Sequence, residues 1–132
     1  MKLVICEKPS VGAAVAAALG VTGRKDGYIE GNGYLISWCI GHLVQLSEAA
    51  AYGEQYKKWS YDSLPILPQE WQYTVAADKG KQFKILKDLM HRADVSEVVN
   101  ACDAGREGEL IFRFVYHQAG CKKPFTLSLI HI

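Results

Sequence analysis

Short apolar runs and stretches of helical period take turns along this chain. Leu3-Val4-Ile5-Cys6 is apolar throughout and meets charge at once in Glu7-Lys8-Pro9-Ser10. A run that short predicts a buried strand over residues 2–6. The alanine-rich stretch that follows predicts a helix over residues 10–19, with Pro9 fixing its entry, Ser10 as N-cap and Gly20 as its stop. Gly23, Gly27, Gly31 and Gly33 mark residues 23–33 as loop-rich. Residues 34–40 read as a strand ending at Gly41-His42, residues 43–51 as a short helix or turn, and residues 52–70 as irregular and rich in aromatics. Residues 71–75 alternate like an edge strand. In residues 81–92, Phe83, Leu86, Leu89 and Met90 share one face of an amphipathic helix. Residues 95–102 read as the strand that delivers Asp103, with the apolar run at 98–102, and Leu110, Ile111, Phe114 and Val115 then recur at helical spacing over residues 107–118, a helix. From Phe125 the pattern alternates again. Strand and helix in turn predict a small α/β fold with a mostly parallel sheet flanked by helices.

Composition narrows the class. A chain of 132 residues with 49% hydrophobic and 22% charged residues has the size and make-up of one globular domain with a real core. A net charge of +1 gives no bulk-charge case for nucleic-acid binding. No apolar stretch is long enough to span a membrane, and the N-terminus has no secretory pattern, so neither a membrane partner nor export is expected. Cys6, Cys39, Cys102 and Cys121 form no CxxC pair, which argues against zinc and for small buried hydrophobes in a reducing cytosol.

The candidate chemistry sits where apolar runs end. Asp103-Ala104-Gly105-Arg106-Glu107-Gly108-Glu109 falls on a strand-to-helix turn, and in a parallel sheet such turns lie at the carboxyl edge, where ligands bind. Crowded carboxylates are easiest to keep ionised around a hard cation such as Mg²⁺. The same acids also suit a plain solvated helix N-terminus, which the helix dipole favours without a metal. Glu7 and Lys8 end the first strand, so parallel pairing puts them on the same edge as Asp103. An acid beside a cation there can handle a proton and a phosphate charge together, or be an ordinary surface pair. His42 after Gly41 fits a structural turn as well as a site. Trp38, Trp59, Trp71, Tyr56 and Tyr61 can stack bases or pack in a core or interface. Lys81, Lys84 and Lys87 form either a DNA-facing stripe or a solvent face.

Taken in order, these segments resemble a known family. Glu7-Lys8-Pro9-Ser10, Trp38-Cys39-Ile40-Gly41-His42-Leu43, Tyr56-Lys57-Lys58-Trp59, Leu64-Pro65-Ile66-Leu67-Pro68 and the acid cluster resemble the N-terminal part of bacterial type IA DNA topoisomerases of the topoisomerase III kind, over residues 1 to about 125. The resemblance implies a Toprim domain, a Rossmann-like α/β module with a mostly parallel sheet. It implies that Glu7 handles the proton at the scissile phosphodiester, that Lys8 stabilises phosphoryl charge, and that Asp103 and Glu107, with Glu7, hold Mg²⁺. His42, Arg106 and Glu109 would lie near the site. The implied activity is ATP-independent cleavage and religation of single-stranded DNA in the cytoplasm, in association with the nucleoid. A Toprim primase or nuclease, or a non-catalytic DNA-binding Toprim module, is the rival expectation.

The chain departs from the family pattern in two places. The usual acid motif is Asp-x-Asp-x-Glu, and its middle position is Gly105 here. The family's nucleophilic tyrosine lies in a separate downstream domain, and none of the seven tyrosines here falls in a matching motif. The resemblance therefore implies a fragment, residues 1–132 being one Toprim domain whose partners are DNA and the missing C-terminal domains of the same polypeptide. Residues 126–132 depart from the family's continuation and read as a non-native, adapter-encoded tail or as an ordinary final strand.

Overall fold

The computed structural model describes residues 1–128. The first strand, β1 (Lys2–Cys6), sits at the centre of the main sheet, and every core residue in it is buried. It is followed by α1 (Pro9–Ala18), β2 (Gly23–Lys25), β3 (Tyr28–Gly31), β4 (Tyr34–Trp38), β5 (Val44–Leu46), β6 (Tyr73–Val75), α2 (Gly80–Met90), β7 (Glu97–Ala101), α3 (Arg106–Gln118) and β8 (Phe125–Leu127). The main sheet has the order β2-β3-β4-β1-β7-β8. The four strands β4, β1, β7 and β8 run parallel, and β3 and β2 add an antiparallel hairpin at one side. A mostly parallel sheet flanked by helices is thus present as expected.

Alternation along the strands divides the core. Leu3, Ile5, Leu35 and Val98 face α2 and α3, where they meet Leu86, Met90, Phe112 and Val115. Val4, Cys6 and Ile36 face α1, against Val11, Val15 and Ala16. A parallel strand covered on both faces reads as a continuous apolar run, which is why β1 shows no polar alternation. Gln82 of α2 is buried and donates to Trp38 O at 2.8 Å, to Gly27 O at 3.2 Å and to Ser37 Oγ at 3.3 Å, fastening α2 to β4 and to the hairpin turn.

Several local expectations are corrected. Residues 23–33 form a hairpin rather than a loop: Gly27, at φ +80°, supplies its tight turn, and β3 pairs with β4. Lys8, not Ser10, occupies the N-cap of α1, and Pro9 opens the helix, where its missing N–H costs nothing. In the stretch 43–51, Val44–Leu46 is a strand paired with Tyr73–Val75 in a separate two-stranded sheet, and a 3₁₀ turn follows at Ala49–Tyr52. The aromatic segment stays out of the core, with Trp59 78% and Tyr61 95% exposed. The tail expectation falls partly on residues 129–132, which lie outside the described residues. Thr126 and Leu127 belong to β8 and pair with Val99 and Asn100.

All four cysteines are buried. Burial pushes the Cys6 thiol up to about 12 from an ordinary 9.0, and the nearby Cys102 adds to the shift. The Cys102 thiol is raised as well, by its hydrogen bond with Cys39, by burial, and by the charges of Glu7 and Asp103. Thiolate is the reactive form, so these thiols are inert in the native chain. A thiol-reactive dye at pH 8 is expected to label Cys6 and Cys102 only after urea unfolding. Because the neutral thiol is the native form, its contribution to stability is full below pH 9.0 and is lost as pH climbs towards about 12. Denaturant midpoints measured across that range check the sign.

Candidate functional site

Three neighbouring parallel strands, β4, β1 and β7, end together. Cys6 at the end of β1 pairs with Trp38 on one side and Ala101 on the other. The chain leaves β1 as Glu7-Lys8, leaves β4 through Cys39 to His42, and leaves β7 through Cys102 to Asp103. The carboxyl edge of the sheet therefore collects Glu7, Lys8, His42 and Asp103, as parallel pairing of the strands predicts.

Two contacts stitch the edge together. The backbone N–H of Asp103 donates to Glu7 Oε2 at 3.2 Å, which ties the end of β1 to the end of β7. His42 Nε2–H donates to Glu107 Oε1, which ties the extension of β4 to the first turn of α3. Glu7 is half-buried, while Lys8, Asp103, Arg106 and Glu107 are exposed. Lys8 and Arg106 form no ion pair among the described residues and remain free for an anionic ligand.

Glu109 is in the same helical turn but looks inward. Its Oε2 accepts from Asn100 Nδ2 at 2.9 Å and its Oε1 from Arg113 Nε at 2.7 Å. Asn100 is 1% exposed, in the middle of β7. Its Oδ1 accepts the Cys102 N–H at 3.1 Å, so a single buried carboxamide fixes both the turn into Asp103 and the Glu109 carboxylate. The signal was present in the sequence: a polar residue inside Val98-Val99-Asn100-Ala101-Cys102 has to find partners, because burying an unpaired amide is costly.

Two glycines in the acid cluster do different work. A Cβ on Gly108 would lie 2.2 Å from the Asp103 carbonyl oxygen and 2.8 Å from its nitrogen. Only glycine lets α3 press this closely on the turn that carries Asp103. Gly105 is the N-cap of α3 in extended backbone (φ −161°, ψ 172°), and a Cβ there meets nothing within 4 Å. Glu107 and Glu109 occupy the first turn of α3, where the helix dipole favours acids. Among the described residues, no three His, Cys, Asp or Glu side chains close into a metal-ligand group. Glu7, Asp103 and Glu107 bring carboxylate oxygens to this edge, with the His42 imidazole bound to Glu107.

This arrangement has relatives. The profile of the Toprim domain family matches residues 2–131. The chain belongs to the Toprim domain family. This Toprim chain is 47% identical over 123 residues to the DNA topoisomerase 3 of Shouchella clausii, a match covering 93% of this chain and 17% of that protein. It is 43% identical over 122 residues to the DNA topoisomerases 3 of Staphylococcus epidermidis and Bacillus cereus, at 92% and 17% coverage in each case. The Toprim chain thus spans about a sixth of the length of the curated relatives it matches (17%). No helix among the described residues is long and apolar enough to cross a membrane.

Asn100→Ala is expected to cost about 1–3 kcal/mol, the penalty for orphaning the Cys102 N–H and freeing Glu109. Gly108→Ala is expected to cost about as much by overpacking against Asp103. Gly105→Ala, with open space at its Cβ, serves as the tolerated control. Urea unfolding of the three variants checks the ranking.

Proposed function

We propose that this chain is the Toprim module, residues 1–132, of a topoisomerase III-like type IA DNA topoisomerase. In the full polypeptide it works with a tyrosine-bearing domain to cut and rejoin one DNA strand, on DNA within the bacterial nucleoid. The observation that supports this reading best is the meeting of Glu7, Lys8 and Asp103 on one carboxyl edge, with Asp103 N–H bound to Glu7. Identity of 43–47% to proteins named DNA topoisomerase 3 favours it over a Toprim primase or nuclease.

The donor set suits Mg²⁺, which takes oxygen ligands and commonly needs only one or two carboxylates beside water and phosphate. Asp103 and Glu107 would hold it, with Glu7 at the rim, and it would supply positive charge at the phosphate. The rest of the chemistry falls to side chains. A tyrosine oxygen from the other domain, its phenolic proton passing to water, bonds to phosphorus as the bond to the 3′ oxygen breaks. Glu7 gives that oxygen its proton and takes it back in religation. Lys8, unpaired and exposed beside Glu7, faces the charge that develops on the non-bridging oxygens. His42 holds the Glu107 carboxylate in place.

Mg²⁺ titration calorimetry tests the metal assignment. Asp103→Asn and Glu107→Gln are expected to weaken binding strongly, whereas Lys8→Ala keeps affinity near the wild type. Gly105→Asp, for which there is room, is expected to tighten it. In the polypeptide that carries the tyrosine, Lys8→Ala is expected to lower cleavage by about 10²–10³-fold, the usual loss for one charge-stabilising donor. Equal Mg²⁺ affinity in the wild type and Asp103→Asn removes the metal from this edge and leaves a module that only binds.

A further inference from the structure

Two features of the carboxyl edge take no part in that chemistry: the tip of the β2–β3 hairpin and the indole of Trp38. The register brings both beside the site. Lys25 pairs with Tyr28, and Tyr28 with Ser37, so the hairpin turn stands at the end of β4 where Trp38 lies. Trp38 is in turn level with Cys6, the last residue before Glu7. Arg24 and Lys25 are therefore on the same edge as Glu7 and Lys8, on the side away from Asp103.

A cleft of about 410 Å³ opens there, between the hairpin and the first turns of α1, with Pro9, Ser10, Arg24, Lys25, Tyr28 and Trp38 among its walls. That volume is in the range of about 300–1,000 Å³ usual for ligand clefts. Trp38 is wedged against α1, where a Cβ on Gly12 would come within 2.7 Å of its ring, so the indole is a fixed, half-buried wall. No acid lines the cleft. Arg24 and Lys25 are exposed and form no ion pair among the described residues, while the acid at the hairpin tip, Asp26, is bound to Lys81 at 2.7 Å. The cleft thus combines two free cations with one aromatic wall, the Trp38 indole, next to the segment Lys8-Pro9-Ser10.

We propose that this cleft seats an unpaired nucleotide flanking the scissile phosphate. Its base stacks on Trp38, and the backbone phosphates on either side of it are held by Arg24 and Lys25. The assignment rests on the DNA-cleaving reading above and adds to it a path for the strand, from Arg24 and Lys25 past Lys8 to Asp103. A single strand fits and a duplex does not, because in a duplex the faces of each base are already covered by its stacked neighbours.

The test is binding of fluorescein-labelled oligo-dT of about 15 nucleotides, long enough to cover one such module, to the 132-residue chain by anisotropy over a salt series. The double variant R24E/K25E is expected to weaken binding by about tenfold or more and to flatten the salt slope by about 1.4, the share of two phosphate contacts on a single strand. R24Q/K25Q, milder on an exposed turn, is expected to lose affinity in the same direction. Unlabelled oligo-dT is expected to quench tryptophan emission in the wild type and to lose that part of the quench in Trp38→Phe. Unchanged affinity and slope in both double variants, with an unchanged quench in Trp38→Phe, would overturn the subsite while leaving DNA binding intact. No binding of oligo-dT by the wild type at any salt would overturn the subsite and the DNA reading together.

Discussion

Cys6 lies level with Trp38 on one flank and with Ala101 on the other, so three parallel strands stop at the same height. Side chains alternate with a period of two, and a slip of one residue in either pairing would turn every core residue of that strand to the wrong face. Leu3, Ile5 and Val98 would leave the α2–α3 side, and Val4 and Cys6 would leave α1. The hydrophobic core therefore fixes the register, and the register fixes where Glu7, Lys8, His42 and Asp103 emerge. The site is a consequence of burial on both sheet faces more than of any contact among its own charged groups.

Those groups then have to coexist on one edge. The acids are spread over three anchors: Glu7 on the Asp103 amide, Glu107 on His42, and Glu109 on Asn100 and Arg113. Each hydrogen bond fixes where its carboxylate stands on the edge. Gly108 lets α3 close on the Asp103 turn, and Gly105 leaves open the position where a further acid would stand. Lys8 and Arg106 supply cations around the acids, and Arg24 and Lys25 extend them along the edge. The edge is thus cationic on the hairpin side and acidic on the α3 side.

Much of this was legible in the residues. The runs at 2–6 and 95–102, each ending in charge, gave the two strands that carry Glu7 and Asp103, and parallel pairing put them on one edge. The α2 and α3 helices followed from their apolar spacing. What escaped was pairing at a distance. Glycines in residues 23–33 announced turns, but nothing local said that the turns closed a hairpin onto β4, so the cations at its tip went unplaced. The β5–β6 pair joins segments 27 residues apart through an aromatic stretch with no clear period. Asn100 signalled only that a polar group inside an apolar run needs partners, and its partners became visible only once α3 lay over β7. The resemblance to the topoisomerase family supplied roles that periodicity does not carry, the proton chemistry of Glu7 above all.

The most direct test of the account is the map of backbone amide shifts on Mg²⁺ titration of the uniformly ¹⁵N-labelled chain. If the register builds one metal-binding edge, amides at Glu7, Lys8, His42 and residues 103–109 will move together with a single saturable affinity. Shifts confined to acids elsewhere, such as Glu54 or Glu70, or no saturable shift at Glu7 and Asp103, would contradict it.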